Sequence, residues 1–139
     1  MADYVKPLPT IDPETEPYWE ATKNHELRAQ RCSKCGTLRW PPKAFCKQCY
    51  SWDYSWDKVP ETGTVTSYVV VHQSTVKVFS DDVPYIIAKI TLDGTDGRVT
   101  ITSNIVDYKW EDMKVGLKVK AFFDDVTDEV TLPKFRVTG

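Results

Sequence analysis

The sequence predicts a mainly β chain in two unlike parts: a small N-terminal part with one helix and a cysteine-bearing ribbon, then a five-stranded barrel. Three observations carry this reading. All four cysteines, Cys32, Cys35, Cys46 and Cys49, fall within 18 residues as two Cys-x-x-Cys pairs. Residues 1–60 hold seven of the nine prolines and only seven Val, Ile or Thr residues, whereas residues 61–139 hold 30. β-Branched side chains pack well on a pleated surface, so the second part reads as strands. Its turns carry their own signal, because Asp93-Gly94-Thr95-Asp96-Gly97 contains two Asp-Gly pairs between strand-like runs.

Taken in order, residues 1–12 read as an extended arm, with Pro7 and Pro9 resisting helix. A helix start follows at Asp12-Pro13-Glu14 or Thr15-Glu16-Pro17, where proline fits the first turn and acids suit the positive end of the dipole. The helix runs through Tyr18-Trp19-Glu20-Ala21-Thr22-Lys23 and places Tyr18, Trp19 and Thr22 on one face. From Leu27 the chain becomes extended and enters the cysteine region. The second part offers strands at Thr64–Thr75, Tyr85–Leu92, Arg98–Ile105, Gly116–Phe123 and Val130–Val137. One helical turn, Asp107–Val115, separates the third from the fourth. Five strands with a short helix in that place form the pattern of a small OB-fold barrel. The division falls at residue 60: 1–60 for arm, helix and ribbon, 61–139 for the barrel.

The cysteine spacing is Cys-x2-Cys, ten residues, Cys-x2-Cys. Each pair can form a knuckle whose backbone amides face two thiolates, and two knuckles make a tetrahedral S4 site suited to Zn²⁺. Iron is the alternative from the same ligands. Gly36 supplies the left-handed position a knuckle favours, and Tyr50 stands where the second knuckle would prefer glycine. Four thiolates leave no open coordination position, so the metal is structural, and it compensates for a part too small and polar to bury much core.

With 41% hydrophobic and 27% charged residues the composition is that of a globular protein. A net charge of −2 excludes a globally basic nucleic-acid binder. Between Lys23 and Cys49, however, Lys23, Arg28, Arg31, Lys34, Arg39, Lys43 and Lys47 face only Glu26. Two readings of these cations stay open: they offset the negative charge of a metal–tetrathiolate centre, or they hold phosphates of a nucleotide-bearing ligand or nucleic acid. Catalytic groups are scarce. His25 and His72 read as structural, Asp81-Asp82 and Asp124-Asp125 as solvated turn residues, and no phosphate loop or nucleophile motif is found. Trp40, Phe45, Tyr50, Trp52, Tyr54 and Trp56 gather around the ribbon, either as a core joining it to the barrel or as an apolar patch for a partner subunit.

The chain resembles a known family in the run Leu27-Arg28-Ala29-Gln30-Arg31-Cys32-Ser33-Lys34-Cys35-Gly36, in Leu38-Arg39-Trp40-Pro41-Pro42, in Phe45-Cys46-Lys47-Gln48-Cys49, and in Gly63-Thr64-Val65 opening a barrel that ends in Pro133-Lys134-Phe135-Arg136. These residues are similar to the zinc-ribbon plus OB-fold family of acyl-CoA-associated accessory proteins, and the likeness runs from about Tyr18 to Arg136. Tyr50 for the usual Gly, Lys47 for a frequent Pro and His25-Glu26 where Gly is common are the departures.

The resemblance implies a rubredoxin-like zinc ribbon with Zn²⁺ on Cys32, Cys35, Cys46 and Cys49, and a non-catalytic subunit needed for assembly with a thiolase-like or hydratase enzyme. Carbon–carbon cleavage or formation on an acyl-CoA, by a thiolase or aldolase reaction, would occur in the partner. Similar subunits serve aromatic and steroid side-chain degradation. Thiolase-like partners dimerise, which implies a heterotetramer. Arg28, Arg31, Lys34, Arg39, Lys43 and Lys47 would lie near the CoA phosphates, and Tyr18, Trp19, Trp40 and Phe45 at the partner interface.

Two rival classes are a single-stranded nucleic-acid-binding OB module and a stand-alone acyl-CoA binding protein. Residues 61–139 carry 9 Lys or Arg against 12 Asp or Glu, which disfavours a barrel that tracks phosphates. No run approaches the length of a membrane helix, and the first residues lack a signal-peptide pattern, so the cytoplasm is the expected location.

Overall fold

The computed structural model describes residues 4–138. Of the expected arm, residues 1–3 lie outside the described residues, and residues 4–12 run without helix or strand. The arm is held to the barrel by Lys6, whose Nζ lies 2.7 Å from Asp82 and 5.8 Å from the Phe79 ring centroid. Helix α1 spans Glu16–Lys23. An Asp12–Thr15 turn leads into it, with the Asp12 carboxylate accepting from the Thr15 amide at 2.9 Å, and Pro17 sits in the first turn. Tyr18, Ala21 and Thr22 form its buried face, and Trp19 packs half-buried beside them.

The ribbon is a three-stranded antiparallel sheet of β1 (Leu27–Cys32), β2 (Leu38–Arg39) and β3 (Tyr54–Val59), in the order β2-β1-β3. The alternation at Trp52, Tyr54 and Trp56 foretells the extended stretch, and β1 pairs with it along its whole length, from Leu27 opposite Val59 to Cys32 opposite Tyr54.

The barrel is closed by β4 (Thr62–Val71), β5 (Tyr85–Leu92), β6 (Thr100–Ile105), β7 (Lys118–Asp125) and β8 (Thr131–Val137), ordered β4-β5-β6-β8-β7. β4 is the long shared strand. Its start pairs with β7 and most of its length with β5, with a bulge between Val65 and Ser67 that lets it bend from one neighbour to the other. Gly63 lies where β4 crosses closest to β5: a Cβ there would come within 2.6 Å of the Thr91 carbonyl oxygen. The β6–β8 contact is parallel and brief, through Ile105 and Phe135.

Several strand boundaries move from the sequence expectation, most by one or two residues at a strand start: β4 begins at Thr62, β6 at Thr100, β7 at Lys118 and β8 at Thr131. β4 stops at Val71 rather than Thr75, because its last partner is Tyr85 and the preceding Pro84 has no amide to continue the ladder. Asp124 and Asp125 close β7 instead of lying in the turn beyond it: Lys134 across the strand pair holds Asp124 at 2.7 Å, and Thr131 holds Asp125. The helical turn between β6 and β7 is a short 3-10 segment, Trp110–Asp112.

One apolar cluster runs through both parts. Val65, Ile90, Val99, Val119 and Phe135 fill the barrel, while Leu27, Ala29, Leu38 and Val59 continue it under the ribbon, with Tyr18 from the helix. Helix α1 packs on β1, β7 and β8 and so bridges the two parts. Among the described residues, no helix is long and apolar enough to cross a membrane.

Candidate metal centre

Each knuckle is built by the same backbone turn. In the first, the Gly36 amide donates to the Cys32 carbonyl at 2.9 Å, and the Cys32 amide to the Thr37 carbonyl at 2.9 Å. In the second, the Tyr50 amide donates to the Cys46 carbonyl at 2.8 Å, and the Cys46 amide to the Ser51 carbonyl at 2.9 Å. The matching residues Gly36 and Tyr50 have φ of 77° and 64°, so Tyr50 occupies the left-handed region its position demands without being glycine. Amides also point at sulfur: Cys35 N lies 3.5 Å from Cys32 Sγ and Gln48 N 3.4 Å from Cys46 Sγ.

The two turns bring the four sulfurs within 4.8 Å of one another. Cys32 Sγ lies 3.5 Å from Cys49 Sγ, and Cys35 Sγ lies 3.6 Å from Cys46 Sγ. A regular tetrahedron with Zn–S bonds of about 2.3 Å has edges of about 3.8 Å, so the donor set fits zinc. Four thiols this close cannot all ionise without a cation among them. The Thr37 hydroxyl, 3.2 Å from Cys35 Sγ, and the Thr37 amide bring the Cys35 thiol down to about 6. Cys49 is pushed up to about 11: hydrogen bonding from the Ser51 backbone lowers it, but desolvation and the neighbouring sulfurs outweigh that pull. A divalent ion resolves the conflict by taking all four as thiolates.

The structure divides the six cations assigned to phosphates. Arg28 reaches Glu26 at 3.3 Å and donates to the Trp56 carbonyl at 3.0 Å. Arg31 meets Asp57 at 2.7 Å, which, with the Ser55 hydroxyl, holds the Asp57 carboxyl below the usual carboxylate range. Arg39 donates through Nε to Gln30 Oε1 at 2.6 Å and through Nη2 to the Lys43 carbonyl at 2.9 Å, with its guanidinium 4.7 Å from the Tyr54 ring. Lys34, Lys43 and Lys47 are exposed.

The four aromatic residues assigned to an interface also divide. Tyr18 is buried, only 5% exposed, and supports Trp19 at 5.0 Å and Trp40 at 4.5 Å between ring centroids. Phe45 belongs to a separate patch on the second knuckle, 40% exposed, beside Tyr50 at 73% and Trp52 at 70%.

Sequence reasoning passed over Gln30 and Arg98, and read His25 and His72 as structural without their partners. Buried Gln30 ties β1 to Arg39 and to the Lys43 amide, a role no motif announces. Arg98, at the end of the β5–β6 turn, lines one cavity with Arg39, Lys43 and Lys47. Its only signal was a cation beside an Asp-Gly turn. His25 has φ of 58°, explaining why glycine suits that position, and its ring stacks on Phe123 at 5.2 Å and meets Asp125 at 3.1 Å. It thereby ties the end of α1 to β7. His72 packs edge-on against Trp110 at 4.7 Å.

Comparison with known proteins agrees with this architecture. Residues 19–53 match the family described as the ChsH2 rubredoxin-like zinc ribbon domain, and residues 56–124 the family described as the ChsH2 C-terminal OB-fold domain. A probable enoyl-CoA hydratase alpha subunit of Thermomonospora curvata is 34% identical over 132 residues, which is 95% of this chain and 40% of that protein. This chain thus spans well under half the length of that relative. A DUF35 domain-containing scaffold protein of Methanocaldococcus jannaschii is 36% identical over 100 residues, 71% of this chain and 68% of the relative. Among solved structures, a chain of the Ltp2-ChsH2(DUF35) aldolase superposes with a TM-score of 0.83 at 32% identity, covering 94% of this chain and 98% of that one. The chain belongs to the ChsH2/DUF35 family, whose members join a rubredoxin-like zinc ribbon to an OB-fold domain.

Proposed function

We propose that this chain is a non-catalytic, zinc-binding accessory subunit of a cytoplasmic acyl-CoA-processing complex, with carbon–carbon bond chemistry carried out by a thiolase- or aldolase-type partner. The observation that carries the reading is the near full-length likeness to a chain of an aldolase with a DUF35 subunit. The relative named as a hydratase alpha subunit extends the class of partner to CoA-acting enzymes. The metal centre supports an accessory role because its four thiolates saturate zinc and leave no position for substrate.

In this reading residues 1–60 dock and residues 61–139 complete the assembly. Zinc fixes the second knuckle, and the knuckle presents Phe45, Tyr50 and Trp52 together as an apolar face. Trp19 and Trp40 offer a second face, stiffened from beneath by Tyr18. Arg28 and Arg31 hold the ribbon sheet together, and the exposed Lys34, Lys43 and Lys47 remain for the phosphates of CoA. The partner selects the acyl group, and a dimeric partner gives a heterotetramer.

Affinity purification from the native extract at moderate salt tests this. The expected product contains a thiolase-, aldolase- or hydratase-like enzyme in stoichiometric amount, one zinc per chain, and a 260/280 nm ratio of protein alone. Co-purifying nucleic acid with no enzyme would overturn it in favour of a single-strand-binding module.

A further inference from the structure

One strand of the barrel keeps an open edge. In the β5–β6 hairpin the Leu92 amide donates to the Val99 carbonyl at 3.0 Å. Residues of an antiparallel ladder alternate between bonded and non-bonded pairs, so Val99, Ile101, Ser103 and Ile105 spend their backbone groups on β5. Thr100, Thr102 and Asn104 turn theirs to the other side. There β8 meets β6 only at Ile105 opposite Phe135, where the Val106 amide donates to the Phe135 carbonyl at 2.9 Å. Two residues back along β8 stands Pro133, which has no amide to give. The Ser103 hydroxyl donates to the Pro133 carbonyl instead, at 2.6 Å. The pairing ends there, and the outward amides and carbonyls of Thr100 and Thr102 have no neighbouring strand among the described residues.

This edge lacks the usual guards. Strand edges are protected by charged side chains, by proline or by a covering element. The outer strand of the ribbon, β3, carries Asp57 and Lys58, whereas Thr100-Ile101-Thr102 carries neither charge nor proline. In place of a cover stands a groove. Tyr18, Trp19, Trp40 and Pro41 face Thr100–Thr102 across a hollow of about 420 Å³. A second hollow of about 200 Å³ continues past Trp19 to Leu132, Pro133 and Lys134. No carboxylate lines either hollow. Arg98 stands at the head of the groove and shares the adjoining cavity with Trp40. It lies two residues before β6, so its side chain leaves on the same face as those of Thr100 and Thr102. It is exposed and takes part in no ion pair among the described residues. At the far end Lys134 is neutralised by Asp124 at 2.7 Å.

Free main-chain donors and acceptors beside an aromatic wall suit an extended peptide. Its backbone pairs with the edge, and alternate side chains enter the hollows. Antiparallel addition, the commoner pairing, brings the C-terminal end of such a segment to Arg98. We propose that Thr100–Thr102 is a strand-addition site: an extended segment of the partner enzyme pairs antiparallel with this edge, an apolar side chain fills the Trp19–Trp40 cleft, and a carboxylate near the segment's C-terminal end meets Arg98. The site deepens the proposed function and rests on it only for the source of the segment.

The test uses the zinc-loaded full chain and, as probe, the acetylated peptide Val-Thr-Leu-Thr-Val-Asp. Two further peptides carry N-methyl groups on alternate amides, in complementary sets. Strand addition consumes one set and leaves the other facing away. One methylated peptide should therefore bind like the parent and the other at least about ten-fold more weakly. Docking by side chains alone would treat the two alike, and that result would overturn the inference. Thr102→Pro removes one outward amide and leaves the bonds to β5, so it should weaken the parent peptide by about ten-fold. Arg98→Gln should weaken it by about two- to five-fold. Zinc content and circular dichroism should match the wild type in both variants. Hydrogen exchange on the wild type reads the same edge without a substitution: the Thr100 and Thr102 amides should slow at least about ten-fold when the peptide is bound. No slowing, or no binding of the parent peptide up to about 10 mM, would overturn the inference. Partner capture from the native extract separates the two claims. An enzyme captured equally by the wild type and by Thr102→Pro overturns the strand-addition site and leaves the accessory reading standing. If the peptide binds through its backbone but no enzyme is captured, the accessory reading falls and the edge stands as a peptide site.

Discussion

The ribbon and the barrel hold themselves together by opposite means. The barrel closes five strands around Val65, Ile90, Val99, Val119 and Phe135, and its stability comes from apolar area removed from water. The ribbon has a three-stranded sheet with a two-residue strand at one edge, and two knuckles that no apolar core fills. Four sulfurs that repel as thiolates occupy the place of that core. The difference teaches where binding surfaces can be carried. A metal-centred turn can leave Phe45, Tyr50 and Trp52 exposed because it does not need them inside, whereas the barrel depends on keeping Val65, Ile90, Val99, Val119 and Phe135 within.

The largest expected effect follows from removing zinc. Structural zinc in small domains is worth about 10–16 kcal/mol of apparent binding energy at neutral pH, so a strong chelator should unfold the knuckles. Hydrogen exchange should then lose protection at Cys32, Gly36, Cys46 and Tyr50 while β5 and β7 stay protected. Loss of both at once would break the contrast. The counterpart in the barrel is Phe135→Ala, which empties the largest fully buried side chain and should cost about 3–5 kcal/mol in urea unfolding with zinc still bound. Gly63→Ala comes next. A methyl group 2.6 Å from the Thr91 carbonyl oxygen forces β4 from β5, at a cost of about 1–3 kcal/mol by the same measurement.

Smaller effects sharpen the ribbon side. Tyr50→Gly removes a left-handed non-glycine residue and should raise zinc retention against a competing chelator by about 0.5–1 kcal/mol, since the Tyr50 ring is mostly exposed. The smallest effect concerns acid. Arg31 and Ser55 hold the Asp57 carboxyl below its usual range, so the pair contributes stability above the unfolded carboxylate pKa and loses it as pH falls through the lowered folded value. The pair is more than a third exposed, which limits the contribution to under about 1 kcal/mol. Asp57→Asn should therefore be slightly less stable than the wild type at neutral pH, and the difference should vanish in acid.

Much of this was legible in the sequence because local chemistry carried it. The cysteine spacing foretold the metal site, and the β-branched bias foretold the strands. The end of β4 was not legible, since it depends on which residue faces Pro84 across the sheet. The roles of the cations were hidden for the same reason. Arg31 and Lys47 look alike in a charge count, and only β3, which supplies Asp57 opposite β1, decides which of them is paired. Arg98 lies far along the chain from the ribbon and reaches it through the fold alone.

The central claim is that zinc orders a docking surface on a chain that leaves the chemistry to its partner. It is tested most directly by capturing partners from one native extract with the wild-type chain and with Cys32→Ser and Cys46→Ser, measuring zinc and acyl-CoA cleavage activity on each eluate. The account predicts enzyme and activity on the zinc-loaded wild type and neither on the zinc-free variants. A zinc-free variant that stays folded and brings down the active enzyme in full amount would contradict it.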